Sequence, residues 1–424
     1  MYYDIVIVGG GAGGLELAAK LGRKFGKAIG TEKVLLIDRS MIHIWKPTLH
    51  EVAVGTLDPQ QEGLLYTTLA RRNHFSFRLG ALKDFHPQQK MLTLAPVCDD
   101  DGTVLIPESE IQFGRCVLAI GSGSNSFGTQ GFEHAFVLEN IADAQHFQKY
   151  LFSRFLQTAH AEQRELNVAI VGAGATGVEL SAEMMEAYQE MQQITANHFD
   201  INIHLIEAAP RILIALDEKV SKHASDVLQQ KNIHLHTSTQ VKQLTPNAVI
   251  STQDEHIPAE IIIWTAGIKA AESNTHYGLA TNRIHQFIVN ARLETTAQDV
   301  YALGDCADLE IDGKKIPATA QAAHQQADYL VKCFWAMHQG KTFEQNFHYA
   351  DAGALVTLGN NKGVGSVITR LSGNSLFIQG MIAKYAHIAL HLMHHKAILG
   401  LPKTILLTLA RLVQKRVSGR LKLH

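Results

Sequence analysis

Short runs of apolar residues alternate with amphipathic stretches along the first two-thirds of the chain. The run Tyr3–Val8 is rich in β-branched residues, and the apolar spacing from Leu15 to about Lys24 is helical. Two more apolar runs, Val34–Asp38 and Cys116–Gly121, end in a carboxylate and in a glycine. Uninterrupted apolar runs are typical of strands that are buried on both faces of a parallel sheet. The pattern therefore predicts an α/β fold.

The same order of elements repeats roughly 160 residues further along the chain. A strand at Asn167–Val171 is followed by a Gly-rich turn, a helix over residues 178–192 and a strand at Ile201–Glu207. The run Ile261–Gly267 closes this copy as Cys116–Gly121 closes the first. Two copies of one strand–turn–helix plan predict two Rossmann-like domains, the second inserted into the first.

The rest of the chain has a different pattern. A short strand at Asp299–Leu303 leads into Gly304-Asp305, and a helix is predicted over residues 317–338. Repeated glycines through residues 347–380 predict β-hairpins, and the last 44 residues return to helical spacing. The predicted domains are 1–160 with 283–345 for the first, 161–282 for the inserted one, and 346–424 for the C-terminal part.

Charge is divided unevenly along the chain, although 38 basic and 40 acidic residues give a net charge of only −2. No Asp or Glu follows Asp351, whereas ten Lys or Arg residues do, so the first 351 residues carry a net charge of −12. A basic tail on an acidic body indicates binding to nucleic acid or to an anionic membrane surface. No aromatic platform or nucleic-acid motif accompanies this charge, so we favour the membrane and predict no nucleic-acid partner.

The tail has the pattern of two amphipathic helices, separated by Gly400 and Pro402. The apolar stripes are Ile382, Tyr385, Ala386, Ala389, Leu392 and Met393, then Ile405, Leu406, Leu409, Leu412 and Val413. The polar faces are Lys384, His387, His391, His394 and His395, then Thr404, Thr408, Arg411 and Lys415. Such helices suit an anionic membrane interface, although they could instead pack on the protein body. We expect the histidines of the polar face to be solvated and predict no metal site.

Cysteines and hydropathy add further expectations. The four cysteines form no CxxC pair, which argues against a zinc ribbon and a vicinal disulfide and favours buried thiols in a reducing compartment. They are Cys98, Cys116, Cys306 and Cys333. The first residues show no secretory signal, and no apolar run approaches the ~20 residues of a spanning helix. We therefore expect a chain that does not cross a membrane.

Both Gly-rich turns follow a strand and open a helix, which is the context that gives a GxGxxG pattern its meaning. The first glycine allows the turn, the second admits a pyrophosphate, and the third lets helix and strand pack closely. These glycines are Gly9, Gly11 and Gly14 in the first copy and Gly172, Gly174 and Gly177 in the second. Asp38 and Glu207 end the following strands, where a carboxylate binds a ribose hydroxyl and repels a 2′-phosphate. The second copy therefore predicts NADH rather than NADPH.

The segment Val300–Asp308 resembles the C-terminal FAD signature of two-dinucleotide flavoproteins. In that superfamily FAD occupies the first turn and NAD(P) the second, and Asp305 would accept hydrogen bonds from the ribityl chain. The resemblance implies FAD-binding residues Gly9, Gly11, Gly14, Asp38, Lys46, Gly121, Gly304 and Asp305. It implies NADH-binding residues Gly172, Gly174, Gly177, Glu207, Ala266 and Gly267.

Along nearly its whole length the chain resembles the bacterial type II NADH dehydrogenases, single-subunit NADH:quinone oxidoreductases that do not pump protons. The segments that carry the resemblance are Ile5–Glu16, Trp45–Pro47, Leu49–Ala53, Gly174–Leu180, Ala266–Ala270 and Arg420–His424. Ala320–Gln325 matches the family's AQxAxQ quinone motif, although polarity alone would make it an ordinary helix start.

The resemblance also implies roles for individual residues. Gln321 and Gln325 would lie beside the flavin ring, and the quinone would contact Ala320, Gln321, Ala323, Gln325 and Lys384. Glu179 would position the nicotinamide or relay protons, unless it is only a carboxylate favoured by the helix dipole. The expected enzyme is bound to the cytoplasmic face of the cell membrane without crossing it, and a homodimer is one assembly open to it.

Two other functions share this architecture. A sulfide:quinone oxidoreductase needs a redox-active cysteine pair near the flavin, and the cysteines here are not paired in sequence. An NADH-sensing flavoprotein of the apoptosis-inducing-factor kind would act through a binding partner and would turn over slowly.

Overall fold

The computed structural model describes residues 1–194, 198–359, 362–368, 375–417 and 421. Gly373 of the predicted hairpin region lies outside the described residues, as do Arg420 and residues 422–424 of the C-terminal motif. The side chains of Leu412 and Lys415, predicted for opposite faces of the last helix, are likewise outside the description.

The first part of the chain alternates strands and helices as its apolar runs predict. In chain order its elements are β1 Tyr2–Val8, α1 Ala12–Phe25, α2 Gly30–Lys33, β2 Val34–Asp38, β3 Ile42–His43, α3 Leu49–Ala53, α4 Pro59–Glu62, β4 Leu64–Leu65, α5 Tyr66–Asn73, β5 Ser76–Leu79, β6 Leu82–His86, β7 Met91–Leu94, β8 Val97–Cys98, β9 Val104–Ile106, β10 Ser109–Leu118, β11 Gly123–Ser124, β12 Phe136–Val137 and α6 Ile141–Ala159.

The middle of the chain repeats the plan with longer elements. They are β13 Glu165–Val171, α7 Ala175–Ile194, β14 Asp200–Ile206, α8 Glu218–Gln230, β15 Ile233–His236, β16 Val241–Thr245, β17 Ala248–Ser251, β18 His256–Pro258, β19 Ile261–Trp264 and β20 Ile268–Lys269. The remaining elements are β21 Phe287–Val289, β22 Val300–Ala302, β23 Ala307–Ile311, β24 Lys314–Lys315, α9 Ala320–His338, β25 Gly353–Thr357, β26 Gly363–Ile368, β27 Ser375–Gln379, α10 Met381–Leu399 and α11 Leu401–Val417.

Two sheets organise these elements. The first has the order β5-β2-β1-β10-β7-β6, and β22 also pairs with β10. Its inner pairs are parallel, and β10 changes partner along its length, from antiparallel β7 to parallel β22. The second sheet, β12-β19-β13-β14-β15, is parallel throughout. The carboxyl ends of parallel strands meet at one edge, which places each Gly-rich turn at the edge of its sheet.

The predicted domain boundaries stay a prediction. Strand β12 and helix α6 precede residue 160, yet β12 pairs with β19 and α6 packs in the core of the second sheet. Side chains of α3 also join that core, whereas Tyr277 and Leu279 lie in the core of the first sheet. The two halves therefore exchange segments near their junctions.

The tail forms the two predicted helices, α10 and α11, but their polar face is turned towards the protein body. His394 and His395 are only 4% exposed, so the prediction of solvated histidines is wrong. The ring of His391 stacks on Trp45 with centroids 4.9 Å apart. The body supplies aromatic and hydrogen-bonding partners for this face, which makes its burial favourable.

The apolar stripes of the tail face outwards. Ile382 is 70% and Leu406 69% exposed, and most of the other residues of the two apolar stripes are also exposed to solvent. Those others are Tyr385, Met393, Ile405, Leu409 and Val413. Among the residues that the structure describes, no helix combines the length and the apolar composition needed to cross a membrane.

Candidate active site at the two Gly-rich turns

The first Gly-rich turn, between β1 and α1, packs closely on one side and is open on the other. Gly9 has φ +103°, and a Cβ there would collide with the carbonyl of Ala119; a Cβ on Gly14 would collide with the carbonyl of Gly9. A Cβ on Gly11 would meet no atom within 4 Å. An open backbone at the start of a helix is suited to a bound pyrophosphate.

Asp38, at the end of β2, closes this turn. Its carboxylate accepts hydrogen bonds from the N–H groups of Gly10, at 2.6 Å, and Ser40, at 2.8 Å. Burial raises the pKa of Asp38. The carboxylate thus holds the turn, and its expected bond to a ribose hydroxyl stays a prediction.

The second turn, between β13 and α7, repeats this geometry. Gly172 also has φ +103°, a Cβ on Gly177 would collide with the carbonyl of Gly172, and Gly174 is open. Glu207 accepts hydrogen bonds from the N–H groups of Ala173, at 2.8 Å, and Ala209, at 2.9 Å. The two copies therefore share their chemistry as well as their order of elements.

Ala266 and Gly267 flank the second turn. A Cβ on Gly172 would lie 2.7 Å from the nitrogen of Ala266, and Gly267 has φ +66°. Thr265 donates its hydroxyl to the carbonyl of Gly172 at 2.8 Å. These residues after β19 thus lie beside the second Gly-rich turn, as Ala119 lies beside the first.

Lys46, Gly121, Gly304 and Asp305 come together near the first turn, although they are far apart in sequence. Lys46 Nζ donates to the carbonyl of Ser122 at 2.8 Å, and the hydroxyl of Ser122 donates to Asp305 at 3.3 Å. Gly121 and Gly304 both have φ +71°. The pairing of β10 with β22 explains this meeting, because the two strands end side by side.

Glu179 lies in the first turns of α7 and is buried. Its Oε1 accepts hydrogen bonds from the N–H group of Thr357, at 2.9 Å, and from the hydroxyl of the same residue, at 3.2 Å. Its Oε2 lies 3.8 Å from His50 Nδ1. Burial raises the pKa of Glu179 to about 8 and lowers that of His50 to about 4. At neutral pH a protonated carboxyl therefore faces a neutral imidazole.

Gln321 and Gln325, in the first turns of α9, contact the segment that leads into β25. Gln321 donates to the hydroxyl of Tyr349 at 3.1 Å. Gln325 donates to the carbonyl of Ala350 at 2.8 Å and accepts from the N–H group of the same residue at 2.9 Å. The structure thus places both glutamine amides against residues 349–350.

The alanines of the same motif allow close helix packing. Helix α9 begins at Ala320, capped by the hydroxyl of Thr319. A Cβ on Gly13 would lie 3.0 Å from the carbonyl of Ala323, and a Cβ on Gly304 would lie 3.6 Å from the Ala323 side chain. Lys384, the other predicted quinone residue, lies in the first turn of α10. Its backbone nitrogen would be 3.1 Å from a Cβ on Gly363.

A buried polar cluster beside the first turn was missed by the sequence analysis. Glu16, on α1, accepts hydrogen bonds from His394 at 2.8 Å, His324 at 2.5 Å and Lys20 at 2.8 Å. Glu16 is 1% exposed. A charged residue between Leu15 and Leu17 in an apolar helix was the available signal, but its two histidine partners come from distant segments, the helices α9 and α10.

All four cysteines are free. Cys116, Cys306 and Cys333 are buried, whereas Cys98 is exposed, so the expectation of a buried thiol is wrong for Cys98. Burial raises the pKa of Cys306 to about 12 and that of Cys116 further still. The described part of the chain contains no cluster of three or more His, Cys, Asp or Glu side chains arranged to hold a metal ion. The absence of a metal site stays a prediction.

The chain has two mainly parallel sheets, and each carries a Gly-rich turn that is hydrogen-bonded to a carboxylate. This arrangement is typical of oxidoreductases that bind two dinucleotides. The family model described as pyridine nucleotide-disulphide oxidoreductase matches residues 3–327. The type II NADH:quinone oxidoreductase of Haemophilus influenzae is 36% identical over 99% of this chain and 100% of that protein. The Staphylococcus aureus enzyme of the same name is 26% identical over 86% of this chain and 90% of its own. The chain therefore belongs to the type II NADH:quinone oxidoreductases. The resemblance to this family that the sequence showed is confirmed.

Solved structures agree on the fold. The structure of NDH2 from Plasmodium falciparum in complex with NADH matches with a TM-score of 0.82, covering 99% of both chains at 18% identity. The sulfide:quinone oxidoreductase from Aquifex aeolicus matches with a TM-score of 0.73, covering 94% of this chain and 92% of that one at 16% identity. The predicted α/β dinucleotide-binding flavoprotein fold is confirmed.

Proposed function

We propose that this chain transfers two electrons from NADH to a membrane quinone through a bound FAD. One observation carries the proposal: residues 349–357 contact all three side chains expected to be catalytic. Tyr349 bonds to Gln321, Ala350 to Gln325 and Thr357 to Glu179. The quinone motif and the NADH-domain helix thereby meet at one segment.

The residues around the first turn fit an FAD. The open face at Gly11 leaves room for a pyrophosphate at the start of α1, and a carboxylate at Asp38 is available to a ribose. Asp305, which accepts a hydrogen bond from Ser122, is proposed to bind the flavin's polyol chain. Bound FAD would accept two electrons from NADH and deliver them to the quinone, so that NADH, one proton and quinone become NAD⁺ and quinol.

The second turn is proposed to bind NADH through Gly172, Gly174 and Gly177, with Glu207 at the adenosine ribose. One oxygen of Glu207 accepts from Ala173 in the turn and the other from Ala209 after β14, so a 2′-phosphate would meet a fixed negative charge. This arrangement supports NADH over NADPH. Ala266 and Gly267 would line the same nucleotide.

Protons for quinol formation would pass through Glu179. Its raised pKa keeps a proton on the carboxyl at neutral pH, and Thr357 fixes its orientation. The quinone would lie against Ala320, Gln321, Ala323 and Gln325, with Lys384 near the entrance. Turning a glutamine amide from the residue 349–350 segment towards the quinone would exchange one hydrogen bond for another.

The test uses FAD-loaded protein, NADH and a water-soluble quinone. Gln321→Leu should raise the KM for quinone about tenfold, the size of one lost hydrogen bond, with an unchanged KM for NADH. Lys332→Gln, at an exposed position on the same helix, is the matched control and should match the parent enzyme. FAD-loaded protein that reduces no quinone would contradict the proposal.

The outward apolar face of α10 and α11 is proposed to enter a membrane surface, with the tail's basic residues adding attraction to anionic lipid. Replacing Ile405, Leu406 and Leu409 with serine should release the protein from vesicles. Replacing the exposed Lys403 with serine should weaken binding to anionic vesicles only. The triple variant binding as tightly as the parent would contradict this role. The cytoplasmic face and a homodimer remain part of the proposal.

The sulfide:quinone oxidoreductase alternative is disfavoured by the thiols. That chemistry requires a reactive thiolate, and burial raises the pKa of both Cys306 and Cys116. Cys98 is exposed but lies in the β8–β9 hairpin. The sensing alternative is tested by the same turnover assay, since rapid reoxidation by quinone excludes a long-lived reduced state.

A further inference from the structure

A buried chain of hydrogen bonds connects the tail helix α10 to the first Gly-rich turn. The carbonyl of Gly10 accepts from the hydroxyl of Tyr66 at 2.7 Å and from His43 Nδ1 at 3.0 Å. His43 Nε2 lies 2.9 Å from His394 Nε2, on α10, and His394 Nδ1 lies 2.8 Å from Glu16 on α1. These four side chains are between 1% and 4% exposed.

The partners determine where the protons lie along this chain. A carbonyl can only accept, so His43 Nδ1 carries a hydrogen. Burial and the nearby His394 lower the pKa of His43 to about 3, so its ring is neutral and its Nε2 accepts. His394 Nε2 must then donate to it.

The other end of the chain has an acceptor as well. Burial is the largest single effect and raises the pKa of Glu16, but hydrogen bonds from His324 and His394 and the charge of Lys20 together hold it far below its ordinary value. Glu16 is therefore ionised and accepts from His394 Nδ1. His394 thus donates from Nδ1 to Glu16 and from Nε2 to His43, and it connects a neutral histidine to a carboxylate.

The bonds to Gly10 orient the neighbouring amide. In a trans peptide the carbonyl and the following N–H group point in opposite directions. His43 and Tyr66 hold the Gly10 carbonyl towards the protein interior, so the N–H group of Gly11 is directed outwards. A Cβ on Gly11 would meet no atom within 4 Å, and Gly11 lies at the start of α1, where backbone N–H groups bind anions.

We propose that His394 and His43 are positioning residues for the FAD pyrophosphate. Through these two histidines, the tail helix keeps the Gly11 N–H group directed at the phosphates. The hydrogen bond from His394 to Glu16 connects the tail helix to α1 as well. The inference rests on the proposed binding of FAD at the first turn. It makes the tail helix part of the cofactor site and not only a membrane contact.

The test measures the dissociation constant of FAD by flavin fluorescence, on the full-length protein. His394→Leu should raise this constant about tenfold, the effect of losing one buried hydrogen bond. Ile398→Ala is the matched control, because Ile398 is fully buried on the same helix but belongs to the packed core. It should lower the melting temperature and change the FAD constant less than about twofold.

Two further readouts separate positioning from general loosening of the fold. The double variant with His43→Gln and His394→Leu should lose no more FAD affinity than the weaker-binding single variant, because both act in one chain. The KM for NADH, which binds at the other turn, should stay unchanged throughout.

The outcomes are distinguishable. A parent protein that binds no FAD overturns the proposed function itself. A parent that binds FAD, with His394→Leu no different from Ile398→Ala, overturns the inference alone. If His394→Leu does not fold, His43→Leu decides, because it removes the histidine donor to Gly10 without changing α10; parent-like FAD affinity in that variant overturns the inference.

Discussion

The carboxylate of Glu179 accepts a 2.9 Å hydrogen bond from the backbone of Thr357, across 178 residues of sequence. This bond joins the helix of the second Gly-rich turn to the C-terminal sheet. Because the same carboxyl faces His50, three separate parts of the chain meet at one titratable group.

The stability of the protein should depend on pH through this group. The pKa of Glu179 is raised from 4.5 to about 8, mainly by burial. Its contribution to stability is present in full below about pH 4.5 and is lost as the pH rises through about 8. Glu179→Gln does not titrate, so its free energy of unfolding should gain on the parent's by up to about 1.4 kcal/mol per pH unit in this interval. Urea unfolding at pH 5, 7 and 9 measures the difference; a constant difference would contradict the raised pKa.

Alanine at the glycines of the first turn should separate folding from cofactor binding. Gly14→Ala forces a Cβ against the carbonyl of Gly9 and should cost at least about 1–3 kcal/mol of stability. Gly11→Ala meets no protein atom, so the FAD-free protein should melt like the parent but bind FAD weakly, because the methyl group occupies the phosphate side. Thermal unfolding and flavin fluorescence measure both effects. Normal FAD affinity in Gly11→Ala would show that the phosphates lie elsewhere.

Nucleotide preference should change with Glu207. Glu207→Gln keeps an oxygen that can accept from Ala173 but removes the negative charge. The ratio of kcat/KM for NADH to that for NADPH should fall about tenfold, because the repulsion of the 2′-phosphate is lost. Asp38→Asn, the corresponding change beside the first turn, is the control and should leave the ratio of kcat/KM for NADH to that for NADPH unchanged. An unaltered ratio in Glu207→Gln would place the ribose away from Glu207.

The ion pair between Arg411, on α11, and Glu62 should help to fasten the tail. Both side chains are mostly buried, at 16% and 19% exposure. Glu62→Gln leaves the guanidinium without its carboxylate and should cost about 1–3 kcal/mol. The double variant Glu62→Leu with Arg411→Leu should be more stable than this single variant, because no charge is stranded. Chemical unfolding of the parent and the variants tests this order, and additive losses would show that the pair is uncoupled.

The sequence determined the two turns and the residues that line them. Strand periodicity, glycine spacing and a carboxylate at the end of the next strand are local features, and each follows from what one strand–turn–helix unit needs for its own geometry. Asp38 and Glu207 were found in this way, and each carboxylate contacts the turn it was assigned to. The amphipathic tail helices were also apparent, because their spacing is local.

Only the tertiary structure decided which face of the tail is buried and what the buried charges contact. An amphipathic pattern shows that two faces differ; which one packs inwards depends on partners elsewhere, and here His43, Glu16 and Trp45 supply partners for the histidines. His50 and Thr357 likewise reach Glu179 only after folding. Burial and hydrogen bonding between distant residues set the protonation states of Glu16 and Glu179. Neither these states nor the buried face of the tail could therefore be derived from neighbouring residues in the sequence.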